Sequence, residues 1–321
     1  MPIISIAPML DWTDRHYRYF MRQITKKTVL YTEMIVADAI IHGNQNRLLS
    51  YNDEEHKVVL QLGGSDPEKL AKASVIGAQY GYDEINLNVG CPSDRVKSGN
   101  FGACLMADPH LVAACIKSMQ DRVSVPVTVK HRIGLDHNNE YGFVGEFVGV
   151  IANAGCKHFI VHARNAILKG LSPKENREIP PLKYEYVYRL KKDFPDITFT
   201  INGGIKTISE IEQHQQFIDG VMLGREAYYN PYLFINMDML VEPNENIIKP
   251  SRLEIATQML SYLEEMKKKD IPLHHVTRHM IGLYYGCANA KMWRTTLANE
   301  MIKENSLFVY ENLLKTIETM R

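Results

Sequence analysis

A 321-residue chain that is 45% hydrophobic and 23% charged can bury a large core, as one large domain or two smaller ones. Its 37 Lys and Arg balance 37 Asp and Glu, which excludes a global basic field for nucleic acid but not a local basic face. The opening MPIISIAPML lacks a basic region and a cleavage motif, and no apolar run approaches the roughly 20 residues that cross a bilayer, so a cytoplasmic protein without a membrane partner is expected.

In chain order, strands are predicted at Ile3–Ala7, Val29–Thr32, Val58–Gln61, Glu84–Asn88, Val127–Lys130, His158–His162, Thr198–Asn202 and Gly220–Leu223. Helical patterns fall between most of them, at Asp14–Gln23, Pro67–Tyr80, Pro109–Asp121, Tyr141–Asn153, Tyr184–Asp193 and Ser209–Gln216. Asp66-Pro67 and Asp108-Pro109 are helix starts with Pro at the first helical position. Eight strands alternating with helices over roughly 240 residues fit an α/β fold of the (β/α)8 TIM-barrel type. A doubly wound sheet shares that pattern, because spacing does not show closure. A polar, breaker-rich stretch, Glu242-Pro243-Asn244-Glu245-Asn246, then leads to a tail that reads as helices only from Arg252. The expected organisation is a catalytic barrel over 1–242 and a small all-helical domain over 243–321.

In a barrel the chemistry sits at the C-terminal ends of the strands. Those ends carry Ala7-Pro8-Met9-Leu10, Gln61, Asn88, Lys130-His131-Arg132, His162-Ala163-Arg164, Asn202-Gly203-Gly204 and Gly224-Arg225. The last two groups occupy the loops where this fold often holds a phosphate, with glycines for close backbone approach and Arg225 as a charged fork. Lys130 ends an apolar strand, where a charge needs an ion pair or a bound anion. Cys91, in the stretch Asn86-Leu-Asn88-Val-Gly-Cys91-Pro-Ser93, lies just past strand four and could serve as nucleophile, metal ligand or proton donor. The five cysteines show neither a CxxC pair nor zinc-ligand spacing, so no metal is expected. A free thiol, with pKa about 8.5, is mostly protonated at neutral pH, which suits a general acid. Gly99 and Gly102 suggest a loop able to close over a substrate.

Together and in this order, these motifs resemble the tRNA-dihydrouridine synthases, flavin enzymes with a barrel and a C-terminal helical domain. The stretch from Gly170 to Leu182 is similar to their A-type subfamily, which modifies positions 20 and 20a of the D-loop. Asn165 and Ile167 stand where that subfamily is expected to have lysine and tryptophan. The resemblance implies FMN as prosthetic group and NADPH as reductant, with Pro8, Met9, Leu10, Gln61, Lys130, His162, Asn202, Gly203, Gly204, Gly224 and Arg225 holding the flavin. It implies that reduced FMN delivers hydride to uracil C6 while Cys91 protonates C5. It also implies Asn88, Arg177 and Arg294 as tRNA contacts, with the target base extruded from the folded RNA.

Two stretches suit local RNA contact. Residues 164–192 carry eight Lys and Arg against three Glu, and residues 271–299 carry Arg278, Lys291, Arg294 and three histidines with no acid. A dihydroorotate dehydrogenase-like enzyme for a small molecule explains the phosphate loops but not that acid-free tail. A non-catalytic RNA-binding barrel would make Cys91 dispensable, and a non-flavin isomerase or aldolase would leave it without a role. A monomer is the default expectation for the oligomeric state.

Overall fold

A computed structural model describes residues 1–93, 96, 99–243 and 247–320. Positions 244–246 of the breaker-rich linker and 94, 95, 97 and 98 of the loop after strand four lie outside the described residues. Eight parallel strands form the sheet: β1 (Ile3–Ile6), β2 (Leu30–Val36), β3 (Val58–Gly63), β4 (Glu84–Val89), β5 (Val127–Arg132), β6 (His158–His162), β7 (Thr198–Asn202) and β8 (Gly220–Leu223). Each strand pairs with its sequence neighbour and β1 pairs with β8. The remaining seam closes where Val29 N–H donates to the Ile4 carbonyl at 2.9 Å and Ile6 N–H to the Val29 carbonyl at 3.0 Å. The sheet is therefore a (β/α)8 barrel and not the doubly wound alternative.

The strand residues sort by alternation. Outward positions such as Ile4, Leu60, Leu87, Val129, Phe159 and Ile201 join the main core beneath the surrounding helices. Inward positions Ala7, Tyr31, Val59, Ile160 and Met222 form a separate buried layer inside the barrel. The helices Pro67–Gln79 and Pro109–Gln120 start as the sequence suggests, with Asp66 and Asp108 accepting from the backbone N–H of Lys69 and Leu111. Strand two runs beyond the predicted Thr32 to Val36, and the short helices Ala37–His42 and Gln45–Leu49 follow it. Runs of five or six residues carry too little periodicity to read in advance.

From Arg252 onward the described residues are helical or irregular. Buried Trp293 and Tyr310 centre this part, donating to the carbonyls of Met280 and Ala256. It rests on the helix Arg15–Ile24 through Tyr19 stacked on Tyr262 at 4.0 Å and His16 bonded to the Tyr262 hydroxyl at 2.8 Å. Asp14 caps that helix, accepting from His16 and Tyr17 N–H, and also receives the fully buried His279 at 3.0 Å. Burial alone would push the Asp14 carboxyl up; the hydrogen bond and charge of His279, with the Tyr17 N–H and the charge of His16, together outweigh it and hold Asp14 well below the usual carboxylate range.

Candidate active site

The strand ends converge at one mouth of the barrel. Within β4, Glu84, Asn86 and Asn88 all point inward, and hydrogen bonds link them into one chain. Asn88 Oδ1 accepts from the backbone N–H of Gly90 at 3.1 Å and of Cys91 at 3.0 Å. Asn88 Nδ2 donates to Gln61 Oε1 at 2.8 Å, and Gln61 Nε2 donates to Asn86 Oδ1 at 2.8 Å. Asn86 Nδ2 donates to Thr128 Oγ1 at 2.8 Å, and the Thr128 hydroxyl donates to Glu84 at 2.7 Å. Every donor faces Glu84, so the carboxylate at the bottom sets the direction of each amide above it. The result at the top is a carbonyl oxygen that fixes the turn carrying Cys91.

The Cys91 thiol is half-buried, 3.4 Å from the Ser93 hydroxyl. Gly102 closes the described part of its loop at φ +74°, where a Cβ would lie 2.6 Å from the Cys91 carbonyl. The proposed closing motion falls partly on positions outside the described residues. Arg132 braces the same turn, donating to the Gly90 carbonyl at 2.9 Å and to the carbonyls of Asn165 and Asn176.

Lys130 donates to Asn202 Oδ1 at 3.1 Å and has no carboxylate partner among the described residues. Burial pushes its amine down to about 7, Arg132 adds to this and Cys91 opposes it. His162 sits against Gly203, whose φ of +123° brings the position a Cβ would take to 2.8 Å from the imidazole Cδ2. Burial, joined by the charges of Arg132, Lys130, Arg164 and Arg177, holds His162 well below its ordinary value, hence neutral. His131, between Lys130 and Arg132, faces outward onto Phe147 and Phe159 and belongs to the packing.

Arg225 opens the helix Arg225–Tyr229 after β8 and pairs with Glu178 at 2.5 Å, so one arm of the expected phosphate fork is already engaged. Arg164 lies beside Arg225, with its buried Nε unpartnered. Arg177, on the short turn Glu175–Arg177, is within electrostatic reach of Cys91, Arg225 and Tyr229. Asn202 donates to the Met222 carbonyl at 2.8 Å, tying β7 to β8 beneath these loops. Pro8 and Met9 are half-buried at the end of β1, while Leu10 is exposed. Gly204 and Gly224 flank the same mouth through their strands.

A half-buried amine with no carboxylate partner among the described residues, an unpartnered guanidinium nitrogen and a glycine against a neutral imidazole fit a large ligand with a phosphate and polar ring edges. Asn88 is nearly buried, and both ends of its amide are committed within the protein. Asn165 also turns inward, donating to the Asp136 carbonyl at 2.6 Å. Arg294 lies apart from this mouth, in a cleft with Arg278 and Tyr229. The sequence places Arg164 at a strand end without assigning it a role, and it gives Thr128 and Glu84 no place in the site. The signal for the last two was polar residues at alternate positions of otherwise apolar strands.

Among the described residues no group of three or more His, Cys, Asp and Glu is placed to hold a metal, and no helix is long and apolar enough to cross a membrane. Residues 5–319 match the family described as dihydrouridine synthase (Dus). The chain is 57% identical over 299 residues to a tRNA-dihydrouridine(20/20a) synthase of Synechocystis sp., covering 93% of this chain and 89% of that protein. It is 52% identical to the protein of the same name from Pasteurella multocida, over 98% and 95% of the two chains. With the one from Escherichia coli O6:H1 it shares 50% identity, over 99% and 96%.

Proposed function

The chain belongs to the dihydrouridine synthase family, and from that membership we propose how its barrel mouth works. The protein is an oxidoreductase that reduces uridine to dihydrouridine in tRNA. The family is flavin-dependent in general. For this chain we assign FMN, with NADPH as reductant. Gly203, Gly204, Gly224 and Arg225 would take the phosphate, and Gln61, Lys130, His162 and Asn202 the polar edges of the ring system. Pro8, Met9 and Leu10 would line its approach. When bound and reduced, FMN supplies the hydride that reaches C6 of the target uracil.

Cys91 completes the reaction by giving the proton on Sγ to C5, and water restores the thiol. The observation that carries this reading is the Cys91 turn, held at the mouth by Asn88 and Arg132, near a lysine that lacks an anionic partner among the described residues. Asn88 cannot reach far from its turn, so the part of the RNA it would meet is the extruded uracil itself. Arg177 and Arg294 would meet the tRNA backbone around it.

Residues 1–242 are proposed as the catalytic unit and 243–321 as the tRNA-binding unit, acting as a cytoplasmic monomer. The target positions, 20 and 20a, are taken from the names of the relatives. The test is incubation with NADPH and unmodified tRNA, followed by nuclease mapping of the mass gained from one added H2. A gain confined to those D-loop positions supports the assignment. A bound flavin that NADPH reduces, with no gain on tRNA, would point to a small-molecule substrate instead.

A further inference from the structure

Where the barrel meets the helical tail there is a cleft of about 740 Å³ that the reduction chemistry does not use. Its lining includes Tyr228, Tyr229 and Tyr285, the guanidinium groups of Arg278 and Arg294, and one carboxylate, Glu226. We propose that this cleft is a second base pocket, holding an unstacked guanine nucleotide of the tRNA beside the target uridine; this rests on the synthase reading above.

Three observations support it. The first is the combination of side chains. Tyr229 is 54% exposed and Tyr285 61% exposed, so two ring faces are left to water at a concave site. Aromatic faces stack bases irrespective of sequence, and flanking guanidinium groups receive phosphates. Arg294 is exposed with no ion-pair partner among the described residues, while Arg278 is steadied by the Asp11 carbonyl at 2.9 Å and the Asp14 carboxylate at 3.4 Å.

The second is continuity with the mouth. The helix Arg225–Tyr229 carries Arg225 at the barrel mouth and Glu226, Tyr228 and Tyr229 in the cleft. Trp12, two residues past Leu10, stacks on Tyr228 at 4.3 Å. Arg177 lies within electrostatic reach of Cys91 at the mouth and of Tyr229 in the cleft. A strand of RNA that delivers one base to Cys91 passes this cleft.

The third is the carboxylate. Glu226 receives Asn230 Nδ2 at 3.3 Å and otherwise has acceptors to offer. A carboxylate accepts only, and guanine presents two adjacent donors, N1–H and N2–H, on its Watson–Crick edge. Uracil presents one donor between two carbonyl oxygens, which a carboxylate disfavours.

The experiment uses the full chain with NADPH and tRNA transcripts in which single nucleotides flanking the target are made abasic. Wild type is compared with Tyr285→Ala and Tyr285→Phe. One abasic position should cost wild type about tenfold in kcat/KM, the scale of one lost base–aromatic stack. Tyr285→Ala should lose about as much on intact tRNA and nothing further on that abasic transcript, whereas Tyr285→Phe keeps the wild-type rate. Uracil in place of guanine at that position should cost wild type about as much as the abasic site, and Glu226→Gln should narrow the gap. Additive losses at every position, or a full rate for Tyr285→Ala on intact tRNA, would overturn the pocket. Equal rates with guanine and uracil would overturn the choice of base. A wild type that does not modify intact tRNA would remove the synthase reading and the pocket together, which distinguishes that failure from the others.

Discussion

Replacing Thr128 by valine keeps the shape of a β-branched side chain and removes one hydroxyl from the middle of the buried chain between Glu84 and Cys91. That hydroxyl accepts from Asn86 at 2.8 Å and donates to Glu84 at 2.7 Å, so its loss strands a donor and a carboxylate oxygen in the barrel interior. Burial already raises the Glu84 carboxyl pKa against the opposing bond from Thr128, so the variant raises it further. Each stranded group costs about 1–3 kcal/mol, giving a loss of about 2–4 kcal/mol after relaxation and the Tyr31 hydroxyl, which also bonds Glu84, absorb part of it. At about 2–4 °C per kcal/mol for a large domain, thermal unfolding should fall by roughly 4–16 °C. The amides of Asn86, Gln61 and Asn88 are then free to reverse, so kcat should fall while tRNA affinity stays near wild type. Calorimetry and single-turnover reduction measure the two effects. An unchanged transition temperature together with an unchanged kcat would refute the idea that this chain orients the Cys91 turn.

Lys130→Met should stabilise the flavin-free protein in a pH-dependent way. The lysine is held at about 7 when folded and near 10.5 when unfolded, so the wild-type penalty is absent above the higher value and grows as pH falls toward 7. Denaturant unfolding should show the gain levelling off below about pH 7; a gain independent of pH would contradict the burial of that amine. Asp14→Ala removes a helix cap and the partner of His279, and should cost about 2–4 kcal/mol near neutral pH. Because the folded Asp14 pKa is depressed, that difference should be full above the unfolded value near 4 and shrink as pH falls below it; a difference that persists in acid would rule out the charge as its source. Arg294→Ala should flatten the salt dependence of tRNA binding by slightly under one unit of slope, leaving flavin reduction by NADPH unchanged. An unmoved slope would make Arg294 ordinary surface charge.

Much of this architecture was legible in the residues because each strand boundary is marked chemically. Seven of the eight predicted strands start at the observed residue, and the Val, Ile and Phe runs of β6 and β7 stop where predicted, at the polar ends His162 and Asn202. Closure was not legible, because it depends on Val29 bonding to Ile4 and Ile6, and backbone pairing leaves no mark on composition. The mouth was half legible. Cys91, Lys130 and the glycine pairs stand out as polar or small residues where strands end. Glu84 does not, because a charge at the start of a strand ordinarily faces solvent, and only the fold turns it inward to Thr128. The cleft beside the mouth was hidden for a related reason. Tyr229 and Tyr285 are 56 positions apart, and the tail has to dock on the barrel before they share a wall.

The most direct test of the account is a single-turnover measurement with Cys91→Ala, reduced flavin and unmodified tRNA. The account predicts bound flavin and near-normal tRNA affinity, with dihydrouridine formation slowed by about 10²–10⁴-fold, the scale of a lost general acid. Formation at the wild-type rate would contradict the assignment of Cys91 as the proton donor.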